Sequence, residues 1–290
     1  MLIPSRESRE PPSYTQRRDE VASLATGLGS PPIEIDYREE EHATWSKAMA
    51  ALAEIWERRA ALPLWAARQE LGLPEDRIPQ LAFVTERLRP LTGFSYASVP
   101  GIVSRVDFFG ALRRAIFPST QFIRWAGNPE YTPAPDVLHE VGGHAIALAN
   151  EHLAELHRAA GRAAKATKSP TLLSAIAAVF WYTAEFGVVR SPKGWKAYGA
   201  GLLSSPGELN GFAGHAEIRP ITIAEMITTP YDIHRYQPIL FGAESLEEVL
   251  DVAGRFFDDI ARRIEFTGEQ PGTDPGEIVA ASTTARSLSA

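Results

Sequence analysis

Apolar residues recur at three- and four-residue intervals along two long stretches, EEHATWSKAMAALAEIWERRAAL near the start and LEEVLDVAGRFFDDIARRI near the end. That period gathers the apolar side chains on one stripe, so each stretch predicts an amphipathic surface helix. A third stretch, TLLSAIAAVFWYTAEF, is apolar at most positions and predicts a more deeply buried helix whose lone acid is Glu185. A fourth starts at Asp136, which follows Pro135 as an N-cap, and carries PDVLHEVGGH onward through IALANEHLAELHRAAG. His152 and His157 of that helix are assigned to its solvated face. Short pieces such as TQFIRWA and RPITI have strand-like composition and suggest minor strands only. The pattern predicts a mainly α fold with a few short strands. Residues 1–35 and 267–290 are polar or punctuated by Pro and Gly, and both are expected to be loosely ordered tails around one body at 36–266.

Composition narrows the chemistry. The 290 residues are 44% hydrophobic and 22% charged, enough for one large domain or two small ones, and no repeat or linker divides the body. There is no cysteine, which excludes disulfides, thiolate metal sites and thiol nucleophiles; a metal here must be held by His and carboxylates. A net charge of -7 argues against a phosphate-backbone partner, so no nucleic acid is expected. The first residues lack the apolar core of a signal peptide, and no run is long enough to span a membrane. A cytoplasmic location and no membrane partner are expected.

His139, Glu140 and His144 in PDVLHEVGGH could be three metal ligands, one base with two ligands, or a polar helix start. Five residues of an ideal α-helix turn through about 500°, which leaves the two imidazoles about 140° apart. That spacing argues against a metal-dependent hydrolase with HExxH and Glu140 as base, because its histidines sit four apart on one face. Gly142 and Gly143 are a reason to expect a wider local turn. Two imidazoles and a later carboxylate would match the donor set of a non-haem Fe(II) oxygenase, and Glu185 is an acid that needs a partner if it is buried.

The blocks RIPQL, LTGFSYASVPGIVSRVDFF, FPSTQFIR, YTPAPDVLHEVGGH, FWYTAEFG, YGAGLLSSPGEL and PYDIHRYQPILF occur in this order between residues 76 and 262. In these blocks the chain resembles the pterin-dependent aromatic amino acid hydroxylases, and among them the single-domain bacterial phenylalanine hydroxylases. The resemblance implies the catalytic-domain fold of that family, Fe(II) bound by His139, His144 and Glu185, a tetrahydropterin, and O2 as co-substrate. It implies that Glu140 and Phe108 lie beside the pterin, with Glu140 a catalytic group. It further implies that Arg124 takes the amino acid carboxylate, that Asp136 supports that arginine, and that Thr132, Trp181, Gly201 and Ser204 border the substrate. One oxygen atom would end on the pterin and the other on the aromatic ring.

The implied reaction is hydroxylation of phenylalanine at carbon 4, with carbon 3, tyrosine and tryptophan as alternatives within the family. Trp181 and Ile233 favour phenylalanine by the same resemblance. Departures from the family pattern include Gly142, Ala145 and Ile146 around the second histidine, Ala134, and Val106. Gly142 is expected to open space toward the substrate ring. With neither a regulatory segment before the body nor a heptad helix after it, a monomer is expected, with a dimer as the alternative.

Overall fold

The computed structural model describes residues 10–129, 132, 134–233, 235–272 and 274–284, with side chains to residue 280. The predicted helices are present. The helix Glu39–Arg59 opens with Glu39, Glu40 and Glu41 and closes with Arg58 and Arg59, which complement its dipole, and it buries Trp45, Ala48, Met49, Leu52 and Trp56. Trp56 Nε1 donates to Leu203 O at 3.0 Å, tying this helix to the short helix Ala200–Leu203 beside the candidate site. The helix Pro170–Phe180 runs directly into a π turn, Trp181–Glu185, that places Glu185 at its inner end. Near the C-terminus, Leu246–Val249, a π turn Leu250–Gly254 and Arg255–Thr267 follow without a break, capped by Ser245 and ended by Gly268 at φ 71.

The fourth predicted helix is divided. A helical run covers Val137–His139, a π turn Glu140–Ala145 and Ile146–Leu148, and a separate helix spans Glu151–Ala166. Asn150 causes the division: its backbone is extended and its side chain accepts from Leu153 N at 3.2 Å, so it caps a new helix.

Strands are short, as predicted, but not all where predicted. β1 (Ser95–Ser98) and β2 (Ile116–Ser119) pair in parallel, joined through the helix Arg105–Leu112. β3 (Val188–Ser191), β4 (Gly194–Ala197), β5 (Glu217–Pro220) and β6 (Ile239–Ala243) form a sheet in the order β4-β3-β6-β5. RPITI overlaps β5 only at Arg219 and Pro220, since Ile223 begins a helix. TQFIRWA lies in no strand: Phe122 O and Ile123 O accept from Val137 N and the Tyr14 hydroxyl, so this stretch crosses between helices instead of joining a ladder.

The segment expected to be an N-terminal tail contains the helix Pro12–Ser23. Few apolar residues sit here, but Val21 and Ile35 are buried, and Arg17 bonds both Glu41 oxygens. At the other end, Pro275–Thr284 is helical with Ile278 buried, packed on Arg255–Thr267. Residues 1–9 and 285–290 of the two expected tails lie outside the described residues. Among the described residues no helix is long and apolar enough to cross a membrane.

Candidate metal centre and its two cavities

The π turn solves the spacing problem of the two histidines. Its i→i+5 hydrogen bonding widens the helix, so residues five apart return to one side. His139 and His144 accordingly stand with ring centroids 4.8 Å apart and planes at 89°. Gly143 makes room for this: a Cβ there would meet Ala200 O at 2.6 Å, a backbone atom that cannot move aside cheaply. Tyr96 of β1 donates to Glu140 O at 2.6 Å and holds the turn against the small sheet.

The second π turn brings in the carboxylate. Glu185 Oε1 lies 3.2 Å from His144 Nε2 and Oε2 lies 3.7 Å from His139 Nε2. One ligand atom from each residue falls within 4.8 Å of the others, the one such group among the described residues. The hydrogen-bond network sets the tautomer of His139. Ser204 Oγ spends its proton on Ala200 O at 2.8 Å, so at 3.0 Å from His139 Nδ1 it can only accept. The proton is therefore on Nδ1, and the Nε2 lone pair faces a carboxylate. Burial pushes His139 down to about 4 and His144 down to about 3, so both are neutral near pH 7. Burial also pushes Glu185 up from its ordinary range, against the pull of His139. Lone pairs converging on a carboxylate repel one another unless a cation lies between, and two imidazoles with a carboxylate are the donor set of a facial non-haem Fe(II) site. The residues present fit that ion.

Two cavities meet at Glu185 and Trp181. The first, about 240 Å³, is lined by Arg124, Thr132, His139, Phe186, Gly201 and Ser204 among others. Arg124 is buried, and Asp136 takes its Nη2 at 2.7 Å, its Nε at 3.0 Å and its backbone N–H at 2.7 Å. Asp136 also accepts from His139 N at 3.1 Å, as an N-cap does. Burial raises the Asp136 carboxyl, but the charge and hydrogen bonds of Arg124 outweigh it and hold it below its ordinary value. Nη1 donates to Pro129 O at 3.2 Å and to Ser204 O at 3.3 Å, so backbone carbonyls and Asp136 together fix the guanidinium in the cavity wall. Thr132 points its hydroxyl at Ala134 O, 2.8 Å away. Gly201 lets the Ala200–Leu203 helix approach: a Cβ there would meet the Phe186 ring at 2.6 Å. Trp181 stacks on Tyr231 with centroids 4.7 Å apart and donates to Gln237 Oε1 at 3.2 Å.

The second cavity, about 220 Å³, is lined by Phe108, Phe109, Phe180, Glu140 and Tyr231 among others. Phe108 is half-buried and meets Phe109, Phe117 and Phe180 edge to face, which leaves it a ring wall of this cavity. Burial pushes the Glu140 carboxyl well above its usual range, reinforced by the charges of Glu185 and Asp136 and opposed by a backbone hydrogen bond from Thr120.

A family described as biopterin-dependent aromatic amino acid hydroxylase matches residues 7–287. The chain belongs to this family. It is 41% identical over 248 residues to a phenylalanine 3-hydroxylase of Streptomyces coeruleorubidus, covering 85% of this chain and 88% of that one. It is 36% identical to a tyrosine 3-monooxygenase of Drosophila melanogaster over 87% of this chain and 45% of that protein, so it spans about half the length of such animal relatives. Phenylalanine hydroxylase of Chromobacterium violaceum with bound iron(III) and 7,8-dihydrobiopterin superposes with a TM-score of 0.77 at 26% identity, covering 92% and 97% of the two chains. The hydroxylase fold expected from the sequence is therefore the fold observed.

Four placements differ from expectation or went unforeseen. His157 is buried, not solvated, because it lies on the inner face of Glu151–Ala166. Gly142 faces Leu138 Cδ1 at 3.3 Å and Met49 Sδ at 3.8 Å, so its missing side chain opens toward the core and not toward a substrate. Glu208 and Gln237 in the first cavity were not foreseen; Gln237 N donates to Glu208 Oε1 at 2.7 Å, and burial pushes Glu208 up to about 7.

Proposed function

We propose that this hydroxylase uses Fe(II) and a tetrahydropterin to hydroxylate L-phenylalanine at ring carbon 3. The observation that carries the mechanism is the position of Glu185, which belongs to the candidate metal site and to the wall between two cavities. Fe(II) held by His139, His144 and Glu185, together with the pterin, supplies the activation of dioxygen. The chain's own part is positioning. Arg124, whose guanidinium lines the first cavity, takes the substrate carboxylate as a cation, and Asp136 holds that guanidinium in place. Trp181 and Phe186 wall the ring, with Thr132, Gly201 and Ser204 closing the amino acid end. Ser204 keeps the His139 proton on Nδ1. Phe108 would wall the pterin site, and Glu140 would present to the pterin a carboxyl whose pKa burial raises.

The apolar Ile233 at the cavity mouth supports phenylalanine over a phenolic or larger substrate. Similarity along nearly the whole of a phenylalanine 3-hydroxylase supports carbon 3 over the carbon 4 expected from the sequence. Incubating iron-loaded protein and tetrahydropterin with phenylalanine, tyrosine and tryptophan separately, then separating the products by chromatography, tests both parts. The expected product is meta-tyrosine from phenylalanine. Para-tyrosine as the main product would overturn the ring position, and turnover of another amino acid in preference to phenylalanine would overturn the substrate.

A further inference from the structure

His157 stands behind the candidate metal site. Its ring is enclosed by Phe94, Phe117, Phe180 and His144 at centroid distances of 6.3, 6.3, 5.1 and 5.7 Å, all edge to face. Nδ1 lies 2.7 Å from Leu153 O. A carbonyl only accepts, so that nitrogen carries the proton and Nε2 holds the lone pair. This Nε2 is buried without a hydrogen-bond partner, and so is His144 Nδ1. A neutral His144 that turns its Nε2 lone pair toward a metal must carry its proton on Nδ1. An unspent donor and an unspent acceptor thus sit on adjacent rings in an aromatic box that gives them no other partner.

We propose that His157 is a positioning residue for His144, its Nε2 accepting the His144 Nδ1–H after a small ring rotation when metal is bound. The Leu153 carbonyl fixes the tautomer of His157, and His157 in turn fixes the tautomer and ring orientation of His144. His157 then does for the inner histidine what Ser204 does for the outer one. This inference rests on the reading of His144 as a metal ligand.

Titrating metal-free protein with Co(II), whose visible absorption reports the coordination, tests it without turnover. His157→Phe keeps an aromatic ring in the box and removes the acceptor, whereas His157→Gln restores one. His157→Phe is expected to weaken Co(II) binding by about 10- to 100-fold and to alter its spectrum, with the metal-free melting temperature close to wild type. His157→Gln is expected to recover much of the loss. Wild-type affinity and spectrum in His157→Phe would overturn the proposal, as would equal losses in His157→Phe and His157→Gln. If His157→Phe does not fold, His157→Met against His157→Gln carries the same comparison. Failure of the wild type to bind Co(II), or undiminished binding by His139→Ala, would instead sink the metal site itself.

Discussion

His139 and His144 leave one π turn toward one carboxylate, yet their surroundings differ. His139 is 18% exposed and is fixed by polar groups: Ser204 on its ring, and Asp136 on its backbone and on Arg124. His144 is 1% exposed and packs on Phe117 with centroids 4.4 Å apart, with His157 behind it. His139 faces the first cavity, the proposed substrate site, and directional hydrogen bonds keep its geometry in a partly exposed place. His144 is shut away from that cavity, so close packing, aided by the one hydrogen bond proposed from its ring to His157, can hold it.

The largest effect should come from removing the outer ligand. His139→Ala takes away one of three donors and leaves the Glu185 carboxylate with a single imidazole, so bound iron should fall far below one per chain and hydroxylation to background. Metal analysis alongside a turnover assay checks this. Full iron content with retained activity would show that the polar side of the site is not part of a metal centre.

Asp136→Asn should come next and acts on the same polar side. Removing one partner of a buried, hydrogen-bonded ion pair costs about 3–5 kcal/mol, because Arg124 keeps its charge without compensation. The sign with pH follows from the lowered Asp136 carboxyl. Its stabilisation is present above the ordinary carboxylate range and is lost as pH falls through the depressed native value. Urea unfolding at several pH values should show a large wild-type advantage near neutrality that shrinks in acid. A gap that stays constant into strong acid would mean the pair is not what stabilises this end.

The two sides also differed in how far they could be read from sequence. Asp136, Arg124 and Ser204 are polar residues in ordered blocks, and their chemistry limits what they can do. The π turn was only hinted at, by two glycines and a spacing that an α-helix cannot reconcile. His157 was misplaced because the helix was read as running unbroken from Asp136; Asn150 restarts it and changes which face points inward. TQFIRWA has strand-like residues, but its carbonyls bond Val137 N and the Tyr14 hydroxyl, and pairing depends on tertiary context that propensity does not contain.

A third, smaller effect belongs to the polar cavity. Burial raises Glu208 from a usual 4.5 to about 7, so the folded protein binds its proton more tightly than the unfolded chain does. Stability from this group is then greatest below pH 4.5, falls as pH rises, and is lost above the folded value. Glu208→Gln removes that penalty and should be more stable than wild type above pH 7, by at most about 3 kcal/mol, with the difference vanishing in acid. Melting temperatures across pH 4 to 9, about the span over which this group titrates, would show the two curves converging. Parallel curves would mean that Glu208 is already ionised and compensated.

The smallest effect should be on the packed side, at Gly142. A methyl group placed there meets Leu138 Cδ1 at 3.3 Å and Met49 Sδ at 3.8 Å, both ends of flexible side chains. Each can give by a few tenths of an ångström, unlike the Ala200 backbone that faces Gly143 at 2.6 Å. Replacing glycine by alanine inside a helical run gains up to about 1 kcal/mol from backbone entropy, set against a slight overpacking cost. Gly142→Ala should therefore leave the melting temperature within a few degrees of wild type and leave the ratio of meta- to para-tyrosine unchanged. Gly143→Ala, one residue along, must push Ala200–Leu203 and the adjoining Ser204 away from His139, and should lose metal affinity. The contrast isolates direction from composition, since both are Gly→Ala changes within one π turn. A shift in product ratio from Gly142→Ala would show that the packed side reaches the substrate ring after all.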